Sequence, residues 1–180
     1  MKLLYKLKPE DYLQHALFYN SVNKGSKNLR LKAWLSVILS FIFFGILLYL
    51  YTDSFIFNLY AILAILVAVI FPYYHKYRLK KQYLSSINEN YKNSFGTAKE
   101  LLFDDDFLHI TSESGISKLK YSAIECIQEI SSHYFLNLKS GTHIILPKSE
   151  LKHNSSLQVR LNDLCKKHKI NHTQELDWKW

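Results

Sequence analysis

Cysteine, proline and glycine are all scarce in this 180-residue chain. Two cysteines are too few for the disulfide scaffold that holds small secreted domains together. Three prolines and five glycines exclude a collagen-like repeat and a Pro/Gly-rich low-complexity chain. A hydrophobic content of 48% excludes intrinsic disorder. The composition is therefore that of a chain that folds.

Charged side chains are absent from two long runs. No Asp, Glu, Lys or Arg occurs in the nineteen residues 33–51 or in the twenty residues 55–74. An α-helix needs about 20 residues to cross a hydrocarbon core of about 30 Å. Buried helices of soluble proteins usually keep a polar stripe, and neither run has one. The sequence therefore predicts two membrane-spanning helices that form an antiparallel hairpin across the short loop 52–54.

Basic side chains flank the hairpin at one end only. Residues 1–32 carry seven basic and two acidic side chains, residues 75–81 carry four basic ones, and the loop 52–54 has no Lys or Arg. The positive-inside rule then predicts that both termini face the cytoplasm. The net charge of +8 is thus explained without nucleic acid, and no nucleic-acid-binding motif is present. The residues predicted to set the topology and to meet anionic lipid headgroups are Arg30, Lys32, Lys76, Arg78, Lys80 and Lys81.

Small residues occupy one face of each predicted span. The i, i+3, i+7 spacing that places residues on one side of a helix occurs in each run, at Ala33, Ser36 and Ser40 and at Ala61, Ala64 and Ala68. Small residues there allow close helix–helix packing, and folding the hairpin at 52–54 places Gly45 near Ala61. The residues predicted to pack are Ser36, Ser40, Gly45, Ala61, Ala64 and Ala68. Since neither span contains Asp, Glu, Lys, Arg or His, the hairpin is predicted to be an anchor rather than a transport path.

The rest of the chain divides into cytoplasmic pieces. Residues 1–32 form an N-terminal segment with a short amphipathic helix, and residues 75–96 continue the second span as a juxtamembrane helix and linker. Residues 97–170 contain short apolar segments at roughly 10-residue spacing, which is typical of an antiparallel meander, and then a helix over 154–169. Residues 171–180 form a tail. The predicted strands are Ala98–Phe103, Phe107–Thr111, Ile116–Tyr121, Glu125–Ser131, His133–Leu138 and Thr142–Leu146. The expected fold is a membrane α-helical hairpin plus an α+β domain, a small antiparallel barrel or curled sheet plugged by its C-terminal helix.

Two clusters of potential metal ligands stand out. Asp104–Asp106 gathers three carboxylates, but a calcium loop needs further ligands, and aspartates between strands usually form a solvated turn. Cys165, His168 and His172 have the spacing of one helical face, although His172 lies beyond the predicted helix end and no fourth zinc ligand is evident. No G-x-S-x-G, H-E-x-x-H or P-loop pattern occurs. We therefore predict no enzymatic activity, cofactor or metal, while metal binding by the Cys165 cluster stays open.

Four groups of residues carry a resemblance to a known family. They are Pro9–Tyr12, Phe103-x3-Phe107 with the aspartates between, Tyr121-x2-Ile124-x2-Ile127-x-Glu129, and the hairpin from Tyr134 to Pro147-Lys148. Together with the two preceding spans, they resemble the bacterial YcxB-like membrane protein family. The resemblance implies a pleckstrin-homology-like (PH-like) C-terminal domain and a place in the bacterial plasma (inner) membrane. It brings no catalytic residue to carry over.

These observations predict a non-enzymatic, membrane-anchored binding module. Its PH-like domain would recognise a protein, a peptide or a lipid headgroup at the cytoplasmic membrane surface, so the expected partners are the membrane, anionic lipid and a protein or second copy of the chain. The alternative is an immunity-type or regulatory subunit that acts on a membrane partner through its transmembrane helices. Trp178 and Trp180 fit three interpretations: docking at the headgroup layer, closing over the domain, or a loose end.

Overall fold

A computed structural model describes residues 1–113, 115–151 and 154–180. Short 3-10 turns occupy 92–94, 121–123 and 148–150. The helices and strands, in chain order, are β1 (Lys2–Lys6), α1 (Pro9–Val22), α2 (Lys24–Tyr51), α3 (Ser54–Asn90), β2 (Ala98–Phe103), β3 (Phe107–Ser112), β4 (Gly115–Lys120), β5 (Ile124–Ile130), β6 (His133–Leu138), β7 (His143–Pro147), α4 (Asn154–His168) and β8 (Asn171–Glu175).

The chain divides into two compact units. Met1–His15 and Ile87–Trp180 form one, which we call the β unit, and Ala16–Ser86 form the other, which we call the hairpin unit. All eight strands that the described residues form lie in the β unit. The division cuts through α1 and through the end of α3.

The hairpin unit contains α2 and most of α3, which pack antiparallel. The indole Nε1 of Trp34 donates to the carbonyl of Ala68 at 3.2 Å, and the hydroxyl of Tyr60 donates to the carbonyl of Phe41 at 2.7 Å. Both helices are long and apolar enough to span a membrane, and almost none of their most apolar stretches is buried. Each helix also extends beyond its predicted span, because α2 begins at Lys24 and α3 continues to Asn90.

The β unit contains two four-stranded sheets. The first has the order β1-β2-β3-β4 and is antiparallel throughout. The second has the order β7-β6-β5-β8, in which β8 runs parallel to β5. Alternation fixes which side of β1 is buried, since Leu3 and Tyr5 point inward while Lys2, Leu4 and Lys6 point outward.

The predicted barrel needs correction. The six predicted strands are present as β2 to β7, but they belong to two sheets, and the described residues form no closed barrel. The sheets separate at the turn Tyr121–Ala123. There the Tyr121 side chain is buried and its hydroxyl donates to the carbonyl of Asp104 at 2.7 Å. Two further strands, β1 and β8, come from segments that were predicted as an N-terminal segment and a tail, and β8 makes the second sheet mixed rather than antiparallel.

The predicted C-terminal helix is present as α4. Its apolar stripe, Leu157, Leu161 and Leu164, is almost fully buried. The helix contacts the turn 121–123 and β8. Burying three leucines at i, i+4 and i+7 is the arrangement that an amphipathic helix needs to cover an apolar core.

Candidate functional site: a cavity between the two sheets

A cavity of about 300 Å³ lies between the two sheets of the β unit. Its apolar lining comes mainly from β3, β4 and β7, and the first turn of α1 also contributes. This volume is at the lower end of the range for small-molecule sites. The polar side chains of the lining, apart from that of Tyr5, are Tyr12, Lys99, Ser117, Ser140, Thr142 and His143.

Lys99 places a positive charge in this cavity. It lies opposite Tyr5 on the inward-facing side of β2, and its ammonium donates to the hydroxyl of Tyr12 at 3.2 Å. The same ammonium lies 5.6 Å from the centre of the Tyr12 ring. Burial lowers the pKa of Lys99. Among the described residues that line the cavity there is no Asp or Glu, so the charge of Lys99 has no carboxylate partner among them.

The other polar groups of the lining are mostly hydroxyls, which can donate hydrogen bonds as well as accept them. Burial raises the pKa of Tyr5 and of Tyr12, which keeps both hydroxyls protonated. The hydroxyls of Ser140 and Thr142 lie 2.8 Å apart at the turn between β6 and β7. An ammonium and several hydroxyls around a partly apolar cavity form a surrounding that favours a small anion.

Histidines lie behind one wall of the cavity. The rings of His15 and His143 are 4.5 Å apart, and Nδ1 of His143 lies 2.9 Å from Oδ1 of Asn137. Burial, with the charges of His143 and His133, lowers the pKa of His15 to about 4. Burial also lowers the pKa of His143. At neutral pH this wall therefore adds no positive charge from either His15 or His143.

A hydrogen-bonded chain of Ser132, His133 and Asp11 links β6 to α1. The hydroxyl of Ser132 lies 2.7 Å from Nδ1 of His133, and Nε2 of His133 lies 3.0 Å from Oδ1 of Asp11. The other carboxylate oxygen of Asp11 accepts the backbone N–H of Lys8 at 2.7 Å. Burial raises the pKa of Asp11, but the bonds from His133 and Lys8 outweigh it and the net pKa is lowered.

The position of Asp11 explains this chain structurally. Lys8 precedes the first residue of α1, so Asp11 is the third helical residue and its side chain closes back on the cap position as in a capping box. His133 then connects that cap to the start of β6. The order serine–histidine–aspartate is the same as in hydrolase triads. Here Asp11 also caps α1, and its contact with His133 attaches that helix to the sheet.

A second buried polar cluster surrounds Glu129 on β5. Its carboxylate accepts from Lys148 at 2.7 Å and from Gln174 at 2.9 Å, and Nε2 of His172 lies 3.2 Å away. Burial raises the pKa of Glu129, but the hydrogen bonds from Lys148 and Gln174 outweigh it, so the net pKa is lowered. Lys148 also lies 4.6 Å from the centre of the Tyr134 ring. Because His172 and Gln174 belong to β8, this cluster attaches β8 to the sheet.

Residues 103–163 match the family model described as YcxB-like protein. The chain contains a YcxB-like region. This match confirms the resemblance over β3 to β7 and most of α4, which is roughly a third of the chain. Three of the four groups that carried the resemblance lie inside the region, and Pro9–Tyr12 lies outside it. A search of curated proteins finds no match.

The YcxB-like region supplies only part of the cavity lining. His143 and the two hydroxyls at the β6–β7 turn lie inside the region, whereas Lys99 and Tyr12 lie outside it. None of these residues was predicted from the sequence as a site. The available signal was a lysine at an inward position of β2, and it could be recognised only once the strand register was known.

The predicted basic residues lie outside the YcxB-like region, on α2 and α3. The hydrogen bond between Trp34 and Ala68 sets the helices side by side, so the start of α2 and the second half of α3 lie at the same end of the hairpin. Arg30 is half-buried, with Nη2 3.5 Å from the carbonyl of Asn20. The exposed members are Lys32, Lys76, Arg78, Lys80 and Lys81.

The predicted small residues divide into two groups. Gly45, Ala61, Ala64 and Ala68 line a cavity of about 470 Å³ between α2 and α3. A Cβ atom at Gly45 would lie 3.3 Å from the ring of Tyr60, so the helices approach closely there. Ser36 and Ser40 are exposed and do not line this cavity. Their hydroxyls donate to carbonyls of their own helix, at Ala33 and Ser36 respectively.

Within the YcxB-like region, Asp104–Asp106 form a turn between β2 and β3. The carbonyl of Asp104 accepts from Arg160 at 2.9 Å, and the carbonyl of Asp105 accepts from Lys167 at 3.4 Å. The side chain of Asp105 is 95% exposed. The backbone of this turn therefore attaches α4.

The Cys165 cluster and the terminal tryptophans follow the YcxB-like region. His168 lies against the ring of Tyr121 at 5.2 Å, whereas His172 lies beside Glu129. Across the described ranges, no three His, Cys, Asp or Glu side chains are grouped so that they could hold a metal ion. Trp178 and Trp180 are both half-buried, and the backbone N–H of Trp178 donates to the carbonyl of Glu175 at 3.1 Å.

Proposed function

We propose that this chain is a non-enzymatic, membrane-anchored binding module of the bacterial plasma membrane. In this proposal the hairpin unit anchors the chain with both termini in the cytoplasm, and the β unit is a PH-like domain. Two sheets followed by a helix support a PH-like assignment. The apolar surfaces of α2 and α3 and the basic residues at one end of the hairpin support the anchoring.

The ligand of the β unit is a small anionic group, such as the phosphate of a lipid headgroup or a free phosphate ester. The observation that carries this proposal is the half-buried ammonium of Lys99, which bonds to Tyr12 in a cavity with no carboxylate among the described residues of its lining. Burial of an unmatched charge costs free energy, and an anion entering the cavity would reduce that cost. A volume of about 300 Å³ accommodates a headgroup-sized molecule better than a peptide segment.

Calorimetric titration of the full chain in detergent tests this ligand class. The probes are glycerol 3-phosphate, inorganic phosphate and uncharged glycerol. We expect heat of binding from the two anions only, and Lys99→Met should weaken it by about tenfold or more, since a charge-assisted hydrogen bond contributes about 1.5–3 kcal/mol. Lys166→Met is the matched control, because Lys166 is exposed on α4 and does not line the cavity.

The three probes also separate the possible sources of the anion. Tighter binding of glycerol 3-phosphate than of inorganic phosphate would support a lipid headgroup, and the reverse order would support a free phosphate. Equal binding by the wild type and Lys99→Met, or no heat from any probe, would contradict the proposed site.

A second candidate function uses the hairpin unit. The cavity between α2 and α3 favours an immunity-type or regulatory subunit that receives a side chain from a partner's transmembrane helix. Ala64→Phe would fill this cavity without altering the β unit. A defined partner that is lost from native membranes with Ala64→Phe but kept with Lys99→Met would favour this candidate, and the opposite pattern would favour the first.

A further inference from the structure

The outward side of the first sheet combines exposed apolar side chains with lysines. We call this surface the outer face, and its exposed members are Lys2, Leu4 and Lys6 on β1, Leu102 on β2, and Ile116, Lys118 and Lys120 on β4. The register places them on one side of the sheet, because inward and outward positions alternate along each strand. The side chain of Ile116 is 77% exposed and that of Leu4 is 64% exposed.

The charge of the outer face is strongly one-sided. Of the described strand residues on this side of the sheet, one is acidic, Glu100, which is bonded to Lys2 at 2.8 Å. The carboxylate of Asp104, in the turn after β2, also lies 3.8 Å from His109 on this side. The ammonium of Lys118 lies 3.9 Å above the ring of Phe107, another side chain on this side. The surface is therefore cationic and contains apolar groups between the cations.

Lysines on edge strands have a known structural role, since they discourage pairing with other sheets. Both β1 and β4 are edge strands, so that role could account for the lysines. It does not account for Leu4 and Ile116, because exposed apolar side chains on an edge promote association. Apolar side chains among lysines are instead the composition of surfaces that enter an anionic lipid headgroup layer.

We propose that the outer face docks on an anionic lipid surface. Lys2, Lys6, Lys118 and Lys120 attract the headgroups, and Leu4 and Ile116 enter the boundary between headgroups and acyl chains. The outer face is distinct from the cavity between the sheets, because the cavity lies on the inward side of the first sheet. This inference rests on the proposed membrane anchoring but not on ligand binding by Lys99.

The test places an environment-sensitive fluorophore at position 116 of the full chain. Ile116→Cys is labelled with a nitrobenzoxadiazole dye in a Cys126→Ser, Cys165→Ser background, and the protein is placed in lipid nanodiscs. One set contains phosphatidylcholine alone, and the other contains equal parts of phosphatidylcholine and phosphatidylglycerol. We expect the emission to shift to the blue in the anionic discs only.

Two variants and one second label position keep the test specific. Lys118→Glu with Lys120→Glu should abolish the blue shift, whereas Lys139→Glu with Lys166→Glu, an equal change of charge at other exposed lysines, should leave it. A label at Thr173→Cys, which is exposed on β8, should show no lipid-dependent shift.

The possible failures are distinguishable. Failure of the chain to remain with the discs would contradict membrane anchoring itself. A chain that remains with the discs while the label at 116 stays in water in both lipids would overturn the docking proposal. A label that stays in water in anionic discs but is shielded in native membranes would also overturn it, and would assign the outer face to an acidic protein.

Discussion

The β unit and the hairpin unit differ in the burial of their apolar side chains. In the β unit, Leu101, Leu136 and Leu161 are fully buried, as is expected for a core formed in water. In the hairpin unit, Leu63 and Ile65 are more than half exposed, and few residues are buried at all. In both units the apolar side chains are removed from water. In the β unit the protein core surrounds them, and in the hairpin unit the proposed bilayer does so.

Polar groups show the same contrast. In the β unit, buried Glu129 and Asp11 are matched by several donors each. In the hairpin unit, the runs 33–51 and 55–74 contain no ionisable side chain apart from tyrosine. A protein interior can provide partners for a buried charge, whereas hydrocarbon cannot. The buried ionisable groups of the candidate cavity are accordingly in the β unit, and the basic residues of the hairpin unit lie outside the two runs.

The largest expected difference comes from the same substitution made in each unit. Leu136→Ala leaves a cavity in the β unit and should lower its free energy of unfolding by about 2–5 kcal/mol. Leu63→Ala, at a side chain that is 54% exposed, should cost less than about 1 kcal/mol in detergent or lipid. Hydrogen exchange of the full chain, resolved by segment, measures both values. Equal losses would contradict the assignment of different surroundings to the two units.

A smaller effect should follow from removal of a buried charge in the β unit. Glu129→Gln leaves Lys148 without its carboxylate and should destabilise the β unit by about 3 kcal/mol, because a buried charge is then unpaired. Glu100→Gln breaks the more exposed pair with Lys2 and should cost less than about 1 kcal/mol. Denaturant unfolding of both variants provides the measurement. If both lose the same free energy, the Glu129 cluster does not attach β8 as described.

The β unit should also respond to pH through His15. Its pKa of about 4 in the folded chain lies below its ordinary value of 6.5, so the unfolded chain binds more protons between these values. Stability should therefore be complete above about pH 6.5 and should fall as the pH drops toward 4, by up to about 3 kcal/mol. His15→Gln should flatten this dependence in thermal unfolding. An unchanged slope in that variant would assign the pH response to other groups.

The smallest expected effect concerns helix packing in the hairpin unit. Gly45→Ala puts a methyl group 3.3 Å from the ring of Tyr60, which must move by a few tenths of an ångström. A loss of about 1 kcal/mol or less should appear in unfolding by sodium dodecyl sulfate in mixed micelles. Ser40→Ala should have no effect, because Ser40 is exposed and bonded to its own helix. An equal loss of stability in Ser40→Ala and Gly45→Ala would indicate that Ser40 also packs between the helices.

Local patterns were sufficient to predict most of the elements. The charge-free runs predicted two long apolar helices, and the short apolar segments predicted β2 to β7, because each pattern is contained within one element. The strand β8 was missed since its sequence, Asn171–Glu175, has no apolar alternation, and it is held by parallel pairing with the distant strand β5 and by the bond from Gln174 to Glu129. The strand β1 is short, and its partner β2 is almost a hundred residues away in the sequence.

The candidate cavity could not be predicted from local patterns either, because its residues come from segments that are far apart in the sequence. Lys99 lies within the segment Ala98–Phe103, which contains three apolar residues at its end but gives no clear alternation at its start. Only the pairing with β1 shows that Lys99 is on the inward side, opposite Tyr5. The partner hydroxyl of Tyr12 comes from α1, which no local pattern places beside β2.

The most direct test of the central claim is the topology of the full chain in intact cells. Asp53→Cys, in the loop of the hairpin, and the native Cys126 and Cys165 of the β unit are exposed to a membrane-impermeant maleimide. Asp53→Cys should be labelled in intact cells, whereas Cys126 and Cys165 should react only after the cells are permeabilised and the chain is unfolded. Protection at position 53, together with labelling of an introduced Lys179→Cys from outside, would contradict the account.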